Sequence, residues 1–163
     1  MPQLTLPTTL VRTSYLAGET EAATQEGLSA AWVEAAADFA GFVEGRRTVR
    51  ELWGVPVTEL WFVDGTEYLG TVLIRHRLTP ALARAGGHIG YHVVPGQRRR
   101  GHATQMLAQA LAVCQHLGLG EVLVTCPVDN LASRRVIEAN GGAPARIVDG
   151  EAHYWLPTSQ HDT

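Results

Sequence analysis

The amino-acid sequence predicts an α/β fold in which one mixed, mostly antiparallel sheet is flanked by helices, in a single domain over residues 1–157 with a polar tail at 158–163. Three observations lead there. Apolar residues at helical spacing fill the first third, and β-rich runs split by Asp64-Gly65 fill the middle. A strand–helix–strand–helix order then closes on a second Asp-Gly hairpin at Asp149-Gly150. That order is neither a βαβ repeat nor all-β, so the sheet should not be purely parallel.

In chain order, residues 4–15 mix Leu, Val and Thr with Pro7, which suits an edge strand or extended arm. From Glu19, Leu28, Trp32, Ala35, Ala36, Phe39, Phe42 and Val43 recur at helical spacing, with Gly27 and Gly41 as weak points that allow one helix or two. Thr48 to Trp53 reads as a shorter helical piece stopped by Gly54. Residues 58–63 and 68–75 form a hairpin around Asp64-Gly65-Thr66, and 79–85 a helical turn. A strand over 88–94 enters a Gly/Arg-rich turn, and the apolar face Met106, Leu107, Ala110, Leu111, Val113, Cys114, Leu117 marks the helix that follows, ended by Gly118. A buried strand at 122–126 precedes a helix capped by Asp129 or Asn130 and ended by Asn140-Gly141-Gly142. The final hairpin pairs 146–148 with 153–156.

Composition narrows the function classes. A net charge of −3 over 163 residues disfavours wholesale binding to nucleic acid or acidic membranes, so any positive patch is local. All 13 basic residues are arginine, which excludes an internal lysine as Schiff-base nucleophile or catalytic base. Cys114 and Cys126 are too few and wrongly spaced for a disulfide framework or a zinc site, and small apolar roles in a reduced, cytoplasmic setting are expected. The N-terminus lacks a signal-peptide pattern and no run is long enough to span a membrane.

The chemistry concentrates at Pro95 to Thr104. A strand, a turn holding Arg98, Arg99, Arg100 and Gly101, and a helix start together gather main-chain N–H groups, the positive end of a helix dipole and guanidinium groups. That combination suits a phosphate or pyrophosphate. A solvated charge run is the competing explanation for the arginines alone.

The hexapeptide Arg98-Arg99-Arg100-Gly101-His102-Ala103 resembles the acetyl-CoA signature of the GNAT superfamily of N-acetyltransferases, Arg/Gln-x-x-Gly-x-Gly/Ala at a helix start. Val93-Val94-Pro95 before it, Asn130-Leu131-Ala132-Ser133, and Glu138-Ala139-Asn140-Gly141-Gly142 after it strengthen the match over 88–142, about a third of the chain, and the run Gly86-Gly87-His88-Ile89-Gly90-Tyr91 with Asp129-Asn130 and Asn140-Gly141-Gly142 is similar to a bacterial branch of predicted acetyltransferases. The resemblance implies a GNAT-like acyl-CoA N-acyltransferase fold and acetyl-CoA as co-substrate, with no metal. It implies that strands 88–94 and 122–126 splay apart around the pantetheine arm, with main-chain groups of Val93 and Val94 on its amides. It places the pyrophosphate on amides from Arg99 through Gly101, His102 and Ala103 to Thr104, helped by Arg98 or Arg100. Asn130 and Ser133 would touch the pantetheine end, with helix capping the competing role for Asn130.

An amine acceptor with a pKa of about 10.4 must shed a proton before attack, and a departing thiolate with a pKa of about 8.5 gains from an acid. His88 and His92 alternate onto one face of the central strand and are the candidate bases, against purely structural roles for either. Glu67, Asp129 and His153 stay open as others. Many relatives carry a tyrosine acid where this sequence has Ile137, so Tyr154 is the first substitute acid and Ser133 the second. The expected function is transfer of acetyl to a primary amine of a small molecule, peptide or protein by direct attack in a ternary complex, with a homodimer possible. The alternative is a non-catalytic acyl-CoA-binding regulatory module, and a nucleic-acid backbone site at the arginine turn would require salt-sensitive binding.

Overall fold

The computed structural model describes residues 1–27 and 31–159, without the side chains at 31, 32 and 145. Leu28, the Trp32 side chain and the last four tail positions therefore lie outside the described residues. The chain runs β1 (Gln3–Thr5), α1 (Arg12–Glu26), α2 (Ala31–Ala37), α3 (Phe39–Arg46), β2 (Arg50–Leu52), β3 (Val55–Asp64), β4 (Glu67–Arg75), α4 (Pro80–Arg84), β5 (Ile89–Val93), α5 (His102–His116), β6 (Glu121–Pro127), α6 (Leu131–Ala139), β7 (Ala143–Val148) and β8 (Glu151–Pro157). The α/β class is as expected, and the strand ladders among the described residues are antiparallel.

Those ladders form two half-sheets, β1-β3-β4-β5 with β2 on β3, and β6-β8-β7. They touch through an isolated bridge between Gly87 and Val124. Gly87 is suited to that contact, because its φ is +63° and a Cβ there would lie 2.3 Å from the Leu123 carbonyl oxygen. Beyond the contact β5 and β6 separate, so the expected splay is present.

Strand alternation sorts the core. On β3, Leu60 and Phe62 face α5 and α6 in the main core with Met106, Leu107, Ala110 and Ile137. Trp61 and Val63 face α1 and α3 with Tyr15, Phe39, Phe42 and Tyr68. Tyr15 stacks on Trp61 with centroids 4.5 Å apart and meets Tyr68 edge-on at 4.7 Å; such pairs add roughly 0.5–1.5 kcal/mol to area burial. Trp61 Nε1 donates to the buried Glu59 carboxylate at 2.8 Å, which Arg46 and Arg50 also engage at 2.9 and 2.7 Å.

Several local expectations give way. The extended arm ends early, because Thr8 caps a 3-10 turn and α1 already begins at Arg12. Gly27 ends α1 in the left-handed region, φ +64°, while Gly41 breaks nothing: Asp38 caps α3 by accepting from the Gly41 N–H. Residues 48–53 are not helical. Trp53 and Gly54, at φ +54° and +76°, form a two-residue hairpin turn that pairs β2 with β3. Thr158, assigned to the tail, is buried and donates through Oγ1 to the Leu119 carbonyl.

Candidate functional site

The gap between the half-sheets is the floor of a cleft of about 670 Å³, bordered by Tyr91, His92 and Val93 on β5, the 97–104 turn, Asn130, Ser133 and Val136 on α6, and Glu26 at the end of α1. Main-chain pairing explains its wall. Arg75 N–H reaches the His88 carbonyl and Val94 N–H the Leu69 carbonyl, so Gly90, His92 and Val94, with the carbonyl of His88, are the groups that bond to β4. By alternation the N–H and C=O groups of Tyr91 and Val93 point the other way, into the gap.

At the cleft mouth α5 begins without a side-chain cap. Its first intrahelical bond is from Gln105 N–H to the Gly101 carbonyl, which leaves the N–H groups of His102, Ala103 and Thr104 without helical partners. Gly101 sits at φ +80° with open space where a Cβ would project, and Arg99 is also left-handed at φ +63°. A helix N-terminus with bare amides, open space and Arg99 at the rim fits a diphosphate.

Two cofactor expectations need correction. Arg98 lines the cleft, but its guanidinium pairs with Glu26 and its Nε donates to the Val93 carbonyl at 2.9 Å. That pairing holds the Glu26 carboxyl below the usual range. Arg98 therefore braces the turn, and among the described residues Arg99 is the arginine at the rim with no partner. Arg100 lies outside the cleft lining, with Nη1 3.4 Å from Gln97 Oε1. Val94 also turns away, because its N–H is spent on Leu69 and its side chain packs in the α1 core; Val93 alone of the pair borders the cleft. Asn130 caps α6, Oδ1 accepting from Ser133 N–H at 3.1 Å, and both residues line the cleft.

The candidate acid–base residues do not assemble as one group. His92 borders the cleft, its Nε2 buried 3.3 Å from Glu19 Oε1 but outside hydrogen-bond geometry. The same Glu19 oxygen accepts from the Tyr68 hydroxyl at 2.7 Å. His88 is buried away from the cleft: its Nδ1 accepts from Leu123 N–H at 2.9 Å, so the ring is a neutral pin across the half-sheet contact. Burial, then the nearby Arg75 charge, push its pKa below 6.5. Tyr154 is fully buried, accepting from Arg134 Nε at 2.8 Å and donating to Glu138 at 3.0 Å, with burial raising its pKa. His153 is buried against the Arg84 carbonyl.

The tyrosine that does face the cleft is Tyr91. Its hydroxyl donates to Ser133 Oγ at 3.2 Å, and burial raises its pKa. The sequence signal was the alternation of the strand, which puts Tyr91 on the opposite face from His88 and His92. Arg75, at the end of β4, is buried under Trp53. Cys114 and Cys126 are buried and free, with burial pushing the Cys114 thiol up to about 12. Among the described residues no cluster of His, Cys, Asp or Glu could hold a metal, and no helix is long and apolar enough to cross a membrane.

A family model described as an acetyltransferase (GNAT) domain matches residues 11–143. No curated protein matches the sequence. Among solved structures, RimJ of Mycobacterium smegmatis in complex with CoA-disulfide superposes with a TM-score of 0.68 at 18% identity, over 96% of this chain and 81% of that one. The microcin C7 self-immunity acetyltransferase MccE, in complex with acetyl-CoA and AMP, gives 0.63 at 17% identity over 96% and 92%. RimL, a ribosomal L7/L12 α-N-protein acetyltransferase in complex with coenzyme A, gives 0.62 at 15% over 96% and 93%.

Proposed function

This chain belongs to the GNAT acetyltransferase family, and from that premise we propose that it moves acetyl from acetyl-CoA to a primary amine by direct attack in a ternary complex. Acetyl-CoA is the co-substrate, and supplies an acetyl group activated as a thioester. The observation that carries the reading is the uncapped start of α5, with His102, Ala103 and Thr104 amides and Arg99 facing open space at the mouth of the gap.

The roles follow the geometry. The 101–104 amides and Arg99 hold the diphosphate, and the Val93 N–H and Asn130 orient the pantetheine arm. A main-chain N–H at the gap edge of β5 polarises the thioester carbonyl. His92 takes the amine proton, with Glu19 beside it to stabilise the imidazolium. The Tyr91–Ser133 pair returns a proton to the thiolate, the task left vacant by Ile137.

Calorimetric titration with acetyl-CoA, followed by thiol release over a panel of primary amines, tests this. Binding and amine-dependent release are expected. Binding without turnover across the panel would leave a regulatory acyl-CoA-binding module instead.

A further inference from the structure

On the α1 side of β5, away from the proposed thioester, lies a cation without an anion. Arg75 is nine-tenths buried, and among the described residues no carboxylate pairs with it. Nη1 donates to the Gly86 and Gly87 carbonyls at 2.9 and 3.2 Å, whereas Nε is buried with no partner and Nη2 makes no hydrogen bond. The guanidinium lies over Gly90, where a Cβ would come within 3.2 Å of Nη2, and under the Trp53 ring at 4.6 Å. A buried guanidinium normally has its donors filled by carboxylates or carbonyls, because an unmet charged donor is costly.

The neighbours extend the pattern. His88 pairs across from Arg75, and with Nδ1 accepting, its proton sits on Nε2, which has no partner among the described residues. Trp155 packs edge-on to that ring, at 6.1 Å. Trp53 and Trp155 are 54% and 45% exposed, which marks an apolar surface open to a ligand. His92 lies two residues from Gly90 on the same face, about 7 Å along the strand.

We propose that the acceptor carries a carboxylate on an apolar body: Nη2 of Arg75 receives the carboxylate, Trp53 and Trp155 flank the body, and the amine reaches His92. A guanidinium keeps Nη1 on the Gly86 and Gly87 carbonyls while Nη2 donates to a second group, a division that a lysine ammonium could not reproduce at this site. This inference rests on the acetyl-transfer reading of the adjacent cleft.

The test uses 4-(aminomethyl)benzoate and benzylamine, primary amines with and without the carboxylate, together with benzoate as a binding probe. Wild-type protein should prefer the carboxylate by about tenfold or more in kcat/KM, and Arg75→Gln should bring the ratio near one. Equal turnover of both amines by the wild type overturns the proposal. Calorimetry of benzoate with CoA-saturated protein reads the site without turnover. Saturable binding, weakened about tenfold in Arg75→Lys, is expected, and its absence in the wild type overturns the proposal. Should the Arg75 variants fail to fold by circular dichroism, Trp53→Ala decides: unchanged benzoate affinity overturns the proposal and weakened affinity supports it. Failure of acetyl transfer itself is distinguishable, because neither amine would release thiol while benzoate still binds.

Discussion

His88 Nδ1 accepts the Leu123 main-chain N–H at 2.9 Å while the His88 N–H reaches the Leu123 carbonyl at 2.7 Å. A side chain thus supplies the acceptor that a neighbouring strand would ordinarily provide. It does so at the point where the half-sheets part.

That pin should titrate. The ring accepts at Nδ1 only when neutral, and burial with Arg75 nearby lowers its folded pKa below 6.5. Between the two values the folded state binds fewer protons than the unfolded chain, so this contribution is full above the unfolded value and is lost as pH falls through the folded one. Urea midpoints should decline below about pH 6.5 in the wild type. His88→Asn, which keeps an acceptor without titrating, should flatten that decline. His88→Leu, which leaves Leu123 N–H unmet, should cost about 1–3 kcal/mol at pH 7.5.

Gly101→Asp should weaken acetyl-CoA binding by about tenfold or more, because it sets a negative charge against the helix-mouth amides proposed to hold the diphosphate. Gly101→Asn shares the left-handed strain and the size without the charge. Calorimetry should find Asn closer to wild type than Asp, and equal losses in the two would count against a charged ligand there.

Tyr91→Phe and Ser133→Ala should each lower kcat by about tenfold to a hundredfold, with the double variant little worse than either, since the two hydroxyls act as one donor chain. Steady-state rates of the four proteins, at saturating acetyl-CoA, give the coupling. Additive losses would separate the residues into independent roles.

Glu59→Gln leaves two guanidinium groups and the Trp61 indole around a neutral amide. The cost should be about 3 kcal/mol, at the low end for a broken buried pair because both arginines keep some solvent. Urea unfolding measures it, and acetyl-CoA affinity of the folded protein should hold, since this network lies in the α1 half of the molecule.

The open helix mouth at 99–104 was legible because it is local: Gly101, three arginines and the helix start are consecutive, and amides at a helix mouth need no distant partner. The strand alternation of 88–94 was equally legible, but not which face opened on the cleft, which depends on where β6 lies 35 residues later. Hence the alternation alone offers His88, and Tyr91 emerges only once β6 is in place. Arg98 looked free because its partners, Glu26 and the Val93 carbonyl, come from a helix far back in the sequence and from the strand before the turn. In the sequence Trp53-Gly54 reads as a helix stop, because a two-residue turn and a helix end both place glycine in the left-handed region. The Glu59 network left no trace in the pattern, since its members are joined only by folding.

Arg98 clasps Glu26 of α1 with one end and the β5 carbonyl of Val93 with its Nε. The end of α1 and the sill at the mouth of α5 are thereby riveted together. Neither can tilt alone, and a change that loosens one will be felt as play in the other.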